Sequence, residues 1–228
     1  MFENEDSHWW FLAKRNFVKS VLPLNKNKIN ILDVGCGTGG MTEFIKSWGK
    51  VTGIEPAKSA YPFLKQRKIN FKPDSFERFK TKTKYDLVCF FDVLYHRHIR
   101  NDLKAIKKAY QFLKPGGLLI ITDCALAFFY GPHDLVMFAR QRYSLKELED
   151  KVTKAGFSIK KSSHIYFLVF PMFVLIRFIQ KFMPLESISI LPRVVNGFLL
   201  TICSFEAELL KKINFPIGSS VIILATRK

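Results

Sequence analysis

Four carboxylates, each following a short apolar run, and a glycine loop just behind the first of them are the chemistry-bearing features of this chain. In NILDVGCGTGG (30–40) the glycines at 35, 37, 39 and 40 follow a hydrophobic run, so backbone must approach something closely there. Asp33 stands ahead of the loop, Glu55 lies 20 residues after Gly35, and Asp74 and Asp92 follow two later runs. Gly35, Gly37 and Gly40 satisfy GxGxxG, and the Glu55 spacing suits a carboxylate gripping ribose hydroxyls, which allows a dinucleotide. A Walker loop is excluded because no Gly-Lys-Ser/Thr follows. Gly35, Gly37 and Gly39 equally give GxGxG. An acid just ahead of that turn suits a cationic ligand and is poorly placed beside a pyrophosphate.

These residues need strands and helices to bring them together. Buried strands are expected at 29–34, 51–55, 69–72, 85–93 and 118–123. Helices are expected at 41–48, across KSAYPFLKQR (58–67) and at 101–113, with Pro115-Gly116-Gly117 ending the last. A β-α repetition of this kind implies a parallel sheet covered on both faces, with ligands beyond the carboxyl ends of its strands. Ahead of it, SHWWFLAKRNFVKSVL (7–22) reads as an amphipathic helix with Ser7 as N-cap.

LDVGCGTG, the acid after the second strand, YDLVCFFDVLYH and LKPGG together resemble the class I S-adenosylmethionine-dependent methyltransferases over about residues 29–160. The resemblance implies a Rossmann-like α/β sandwich with strand order 3-2-1-4-5-7-6, strand seven antiparallel, formed by 219–228 beside strand six at 157–166. S-adenosyl-L-methionine would be the cofactor and S-adenosyl-L-homocysteine the product. Asp33 and the loop Gly35, Cys36, Gly37, Thr38 and Gly39 would line the methionine part. Glu55, followed by Pro56, would take the ribose hydroxyls. Asp74, Ser75 and Phe76 would border the adenine, and Phe91 and Asp92 the reacting methyl. The start, EDSHWWFLAKR (5–15), resembles the ExxHWWFxxRR box of a bacterial subgroup associated with envelope polysaccharide and lipid pathways, with Lys14 replacing one arginine. Trp10 and Arg15 would then lie by the cofactor. GPHDLVMFARQRYS (131–144) resembles the subgroup's HRRRYT segment through Arg140, Arg142 and Tyr143, with Ala139 where a basic residue is common.

Methyl transfer from a sulfonium is an in-line displacement, so alignment dominates and an oxygen or nitrogen acceptor adds the need for a base. His96, just past the fourth strand, is the first candidate base. His133 and Tyr143 are placed at the acceptor border, Tyr143 as a catalytic residue, and Arg140 and Arg142 as a clamp for an anionic acceptor. His98 reads as exposed and His164 as a core histidine. The alternatives are an NAD(P)-dependent oxidoreductase and a domain that binds the sulfonium nucleoside without transferring from it.

The 228 residues suit one α/β domain, divided as an N-terminal cap helix (1–28), a cofactor core (29–166), an apolar helical insertion (167–216) and a final strand (217–228). The opening MFENEDSHWW is acidic where a secretory leader is basic, and four scattered cysteines read as reduced thiols, so a cytosolic setting is expected. Thirty-six basic against 19 acidic residues leave a net charge of +17, which favours anionic partners or reflects a lysine-rich solvated surface. The densest basic patch, 58–84, has no interleaved aromatic platform, which argues against nucleic acid. In the insertion, 167–183 is too short and interrupted for a membrane span, and Arg177, Gln180 and Lys181 share one helical face. RVVNGFLLTICSFEAELLKK (193–212) is amphipathic, with Glu206 on its apolar stripe, where it needs a partner or faces the acceptor. The pair either packs on the sheet edge or roofs the site, admitting a small-molecule or lipid-linked acceptor to a monomer at an anionic membrane surface.

Overall fold

Apolar runs bounded by glycine and proline close into one seven-stranded sheet of order β3-β2-β1-β4-β5-β7-β6. A computed structural model describes residues 2–23, 29–127, 130–131, 134–135, 138–179 and 191–228, with only the backbone of Arg177. The readings that rest on the side chains of His133, Arg177, Gln180 and Lys181 lie outside the described residues. The strands are β1 (Ile29–Val34), β2 (Gly49–Ile54), β3 (Phe71–Lys72), β4 (Tyr85–Phe91), β5 (Leu113–Cys124), β6 (Phe157–Ile165) and β7 (Ser220–Arg227). All pairings among β1 to β5 are parallel, and β7 runs antiparallel between β5 and β6.

The helices are α1 (Trp9–Val21), α2 (Gly40–Ile45), α3 (Tyr61–Gln66), α4 (Asp102–Phe112), α5 (Leu145–Lys154), α6 (Phe170–Ile179) and α7 (Arg193–Leu210). They cover both faces, so neighbouring strand residues enter opposite cores. Leu32, Val88 and Ile121 pack with α4 and α5, while Ile31, Cys89 and Ile120 pack with α1 and α7. Burial on both sides explains why β1, β4 and β7 read as continuous apolar runs.

Three boundaries differ from the sequence reading. The N-cap of α1 is His8, whose Nδ1 accepts the Trp10 N–H at 3.3 Å, because Ser7 is still held in a turn by Asn4 O. β5 begins at Leu113, which pairs with Tyr85, and the register shift beyond that pair absorbs Gly116, whose φ is 74°. The region 58–67 is a 3-10 turn followed by the short α3, which starts at Tyr61 with Pro62 in its first turn. The insertion is a helix pair, and α7 lies beside α1: Asn16 Nδ2 donates to Ser204 Oγ at 2.9 Å and Trp9 N to Asn196 Oδ1 at 2.8 Å. Among the described residues no helix is long and apolar enough to cross a membrane.

Candidate active site

The glycine loop lies where the strand order reverses between β1 and β4. Gly35 N and Cys36 N both donate to Ile54 O, at 2.8 and 3.1 Å, which folds the chain back over β2. That path requires φ of 68°, 53° and 93° at Gly35, Gly37 and Gly39, a region side chains resist. A Cβ at Gly35 would sit 2.7 Å from Val93, whereas one at Gly37 would meet nothing within 4 Å. Gly35 is thus pinned by packing, and Gly37 borders open space.

The end of β2 is tied to the same loop. Glu55, 7% exposed, accepts Gly37 N–H through Oε2 and Ala57 N–H through Oε1, each at 2.8 Å. Each carboxylate oxygen has a further lone pair, so these bonds leave acceptor capacity for ligand hydroxyls. Asp33 is buried and accepts the Thr42 hydroxyl at 2.6 Å. Burial pushes its carboxyl up to about 7, with Glu55 reinforcing the rise and Thr42 opposing it. A cationic ligand group beside it would restore the ionised form. Cys36 packs beneath Gly53, and Thr38 Oγ1 donates to Glu5 Oε1 at 2.5 Å. Asp74 accepts Ser75 N at 2.8 Å and Arg78 Nε at 3.0 Å. Phe76 is buried and lies edge-on to Phe90, with ring centroids 5.5 Å apart.

The N-terminal segment closes over this loop. Glu5 Oε2 and Asp6 Oδ2 take Arg67 at 3.3 and 2.7 Å, and Arg15 donates to Glu5 O, Asp6 Oδ1 and Gly40 O. Trp10 stacks on Tyr166 with centroids 3.9 Å apart and planes 2° apart. Between Trp10 and Arg15, Lys14 is buried and reaches Asp92, which sits beyond β4 at φ 57° and also accepts Thr122 Oγ1. Burial lowers the Lys14 ammonium to about 8 against the opposing pull of Cys124, Asp123 and Glu5. Sequence reasoning missed this residue, noting it only as a departure from an arginine. Its signal was its place one helical turn after Trp10 on the face that carries Trp10 and Phe17 towards the sheet.

Several residues expected on the acceptor side have their polar groups engaged internally. Tyr143 is fully buried, and its hydroxyl donates to Leu94 O and Asp102 Oδ2 at 3.0 and 2.8 Å. Burial carries its phenol far above the usual range, so it is a core hydrogen-bond donor with no catalytic access. Arg142 is committed to Asp134 by two bonds, of 2.8 and 3.2 Å, and to Ala125 O, with both side chains buried. It cannot also clamp an acceptor. Glu206 lies with no exposed surface and accepts the N–H groups of Phe167 and Leu168 at 2.8 and 2.9 Å. Its partner is therefore the turn that leaves β6 at Phe167 and Leu168. Arg140 keeps a half-exposed guanidinium near Asp102 at 3.4 Å. His96 is half-buried, and its Nδ1 accepts His98 N–H at 3.3 Å. Burial, then His98 and Arg97, push it down to about 4, so its ring is neutral near pH 7 and its hydrogen lies on Nε2.

A loop of left-handed glycines at the switch point, with Asp33 and Glu55 buried beside it, fits a nucleoside with a cationic amino-acid end better than one carrying a pyrophosphate. Residues 8–162 match the methyltransferase domain family, and the chain belongs to it. The class is that of the S-adenosylmethionine-dependent methyltransferases with the Rossmann-like sheet, and S-adenosyl-L-methionine is the cofactor. The ubiquinone biosynthesis O-methyltransferase of Rickettsia typhi is 29% identical over 143 residues, covering 53% of this chain and 57% of that one. Phosphoethanolamine N-methyltransferase 1 of Zea mays is 32% identical over 139 residues, covering 56% and 28%. The chain thus spans little more than half the length of the first of these curated relatives and about a quarter of the second. A solved S-adenosylmethionine-dependent methyltransferase of Thermotoga maritima, described as a possible histamine N-methyltransferase, shares the fold with TM-score 0.63 at 22% identity. That match covers 100% of this chain and 96% of that one.

Proposed function

We propose that this chain catalyses methyl transfer from S-adenosyl-L-methionine to a small-molecule, sugar- or lipid-linked acceptor, releasing S-adenosyl-L-homocysteine. The observation that carries the reading is the single cluster made by Gly35, Gly37, Asp33 and Glu55 at the switch point. Glu55 would hold the ribose hydroxyls, Asp33 the amino group, and the backbone of 35–39 the methionine part. The bound cofactor supplies the electrophilic methyl group. Asp92, fixed by Lys14 and Thr122, would border that methyl and keep the approach of the acceptor aligned. Arg15 and Glu5 would close the loop against water. With Nδ1 engaged, His96 would donate from Nε2 to an acceptor oxygen rather than take its proton. Arg140, with spare donors, is the remaining candidate for an anionic acceptor.

The whole of residues 1–228 is read as one unit, because α1 and α7 share the core with the strands. The protein would act as a monomer in the cytoplasm. Against an NAD(P)-dependent oxidoreductase stands the charge at the head of the loop, since Asp33 would face a pyrophosphate. Labelling of fractionated cell extract with methyl-labelled cofactor tests the acceptor class. Label in the aqueous or lipid pool is the expected result; label confined to nucleic acid would overturn it.

A further inference from the structure

We infer that the outward face of α7 is a docking surface for an anionic lipid bilayer, which would bring the site of the proposed reaction to a lipid-linked acceptor. The inner side of this helix is occupied, since Leu199, Cys203, Glu206, Ala207 and Leu210 are buried. Its other side runs through Val194, Phe198, Thr201 and Phe205, spaced by four, three and four residues. This is one helical stripe. Val194 is 84% exposed, Phe198 65% and Phe205 60%. Monomeric proteins show isolated apolar side chains in water, but two phenylalanines and a valine aligned on one helix mark an interaction surface.

Charge selects the occupant. The stripe is bounded by exposed Arg193 at its start and exposed Lys212 at its end, next to Lys211, which is paired with Glu208 at 2.6 Å. The chain as a whole carries +17, so two copies repel each other while an anionic surface attracts both ends of the stripe. An apolar stripe ended by cations suits a helix lying in the interface of a bilayer. The fold links this face to the site. Trp9 N donates to Asn196 Oδ1, Asn196 Nδ2 to Ser7 O and Asn16 to Ser204, so α7 is clamped to the helix that carries Lys14 to Asp92. Glu206 also ties α7 to the start of the insertion at Phe167 and Leu168. Docking through α7 would therefore fix the orientation of the site towards the membrane.

The inference rests on the methyltransferase reading, and one set of samples separates the two. Flotation of the intact chain with phosphatidylcholine vesicles, with and without phosphatidylglycerol, is paired with calorimetry using S-adenosylhomocysteine. Expected is flotation with the anionic vesicles only, reduced about tenfold or more in Phe198→Ser/Phe205→Ser and lowered by added salt, with nucleoside binding unchanged. Nucleoside binding without flotation by the intact chain overturns the docking surface alone. Flotation without nucleoside binding overturns the enzymatic reading alone. A stable dimer of the intact chain that the double variant splits assigns the stripe to a second copy and overturns the inference.

Discussion

The cofactor half of the site and its acceptor half use similar residues to opposite ends. Around the glycine loop, Glu55 and Asp33 are buried but retain oxygens for a ligand. On the acceptor side three such groups are consumed internally: Arg142 by Asp134, Tyr143 by Asp102, Glu206 by two backbone N–H groups. A buried polar group thus marks a binding site only where its partners leave capacity over. The comparison can be broken at either half, and the expected effects fall in a definite order.

The largest is on stability. Arg142→Met leaves the Asp134 carboxylate buried without its cation, and should cost about 3–5 kcal/mol in denaturant unfolding. Affinity of the folded fraction for S-adenosylhomocysteine should stay unchanged; a loss of affinity at full stability would return Arg142 to a ligand site. Glu55→Ala should weaken S-adenosylhomocysteine by about 1–3 kcal/mol in calorimetry of the folded protein, beside a stability loss from the freed Gly37 and Ala57 N–H groups. Unchanged affinity would remove the ribose from β2.

Lys14 sits between the halves. Lys14→Met should lower kcat more than it raises the Michaelis constant for the cofactor, and Lys14→Arg, which restores an ion pair with Asp92, should recover most of the rate. A stability loss with normal kcat would make the pair purely structural.

Smaller again is the pH effect of Asp33. Burial raises its folded value from 3.8 to about 7, so the protonated form dominates below that pH and the carboxylate above it. Folding stability attributable to this group therefore declines as pH rises from about 4 towards 7 and then levels off. Binding of a ligand amine should strengthen as pH passes upward through about 7. Asp33→Asn should flatten both trends; equal pH slopes in calorimetry of the two proteins would contradict the assignment.

The smallest concerns His96→Leu, which removes the Nε2 donor that glutamine would keep. As a hydrogen-bond donor its loss should reduce turnover by roughly 1 kcal/mol, about fivefold. A fall of about 10² or more would instead restore the general-base role.

The strands and the loop were legible because both depend on patterns that backbone physics enforces, while the order of the strands came from the family resemblance. Strands buried on both faces must be continuously apolar, and a turn at three positive φ values must use glycine. The acceptor residues were not legible in this way. A sequence gives Arg142 and Tyr143 as available groups, while their commitment to Asp134 and Asp102 appears only when distant segments meet. Lys14 was hidden for the same reason, since its partner Asp92 lies 78 positions away.

The central claim is that the glycine loop holds the methyl donor's nucleoside. Calorimetric titration of the intact chain with S-adenosylhomocysteine and, separately, with NAD tests it directly. The account predicts binding of S-adenosylhomocysteine that Glu55→Ala weakens, and none of NAD; binding of NAD alone would contradict it.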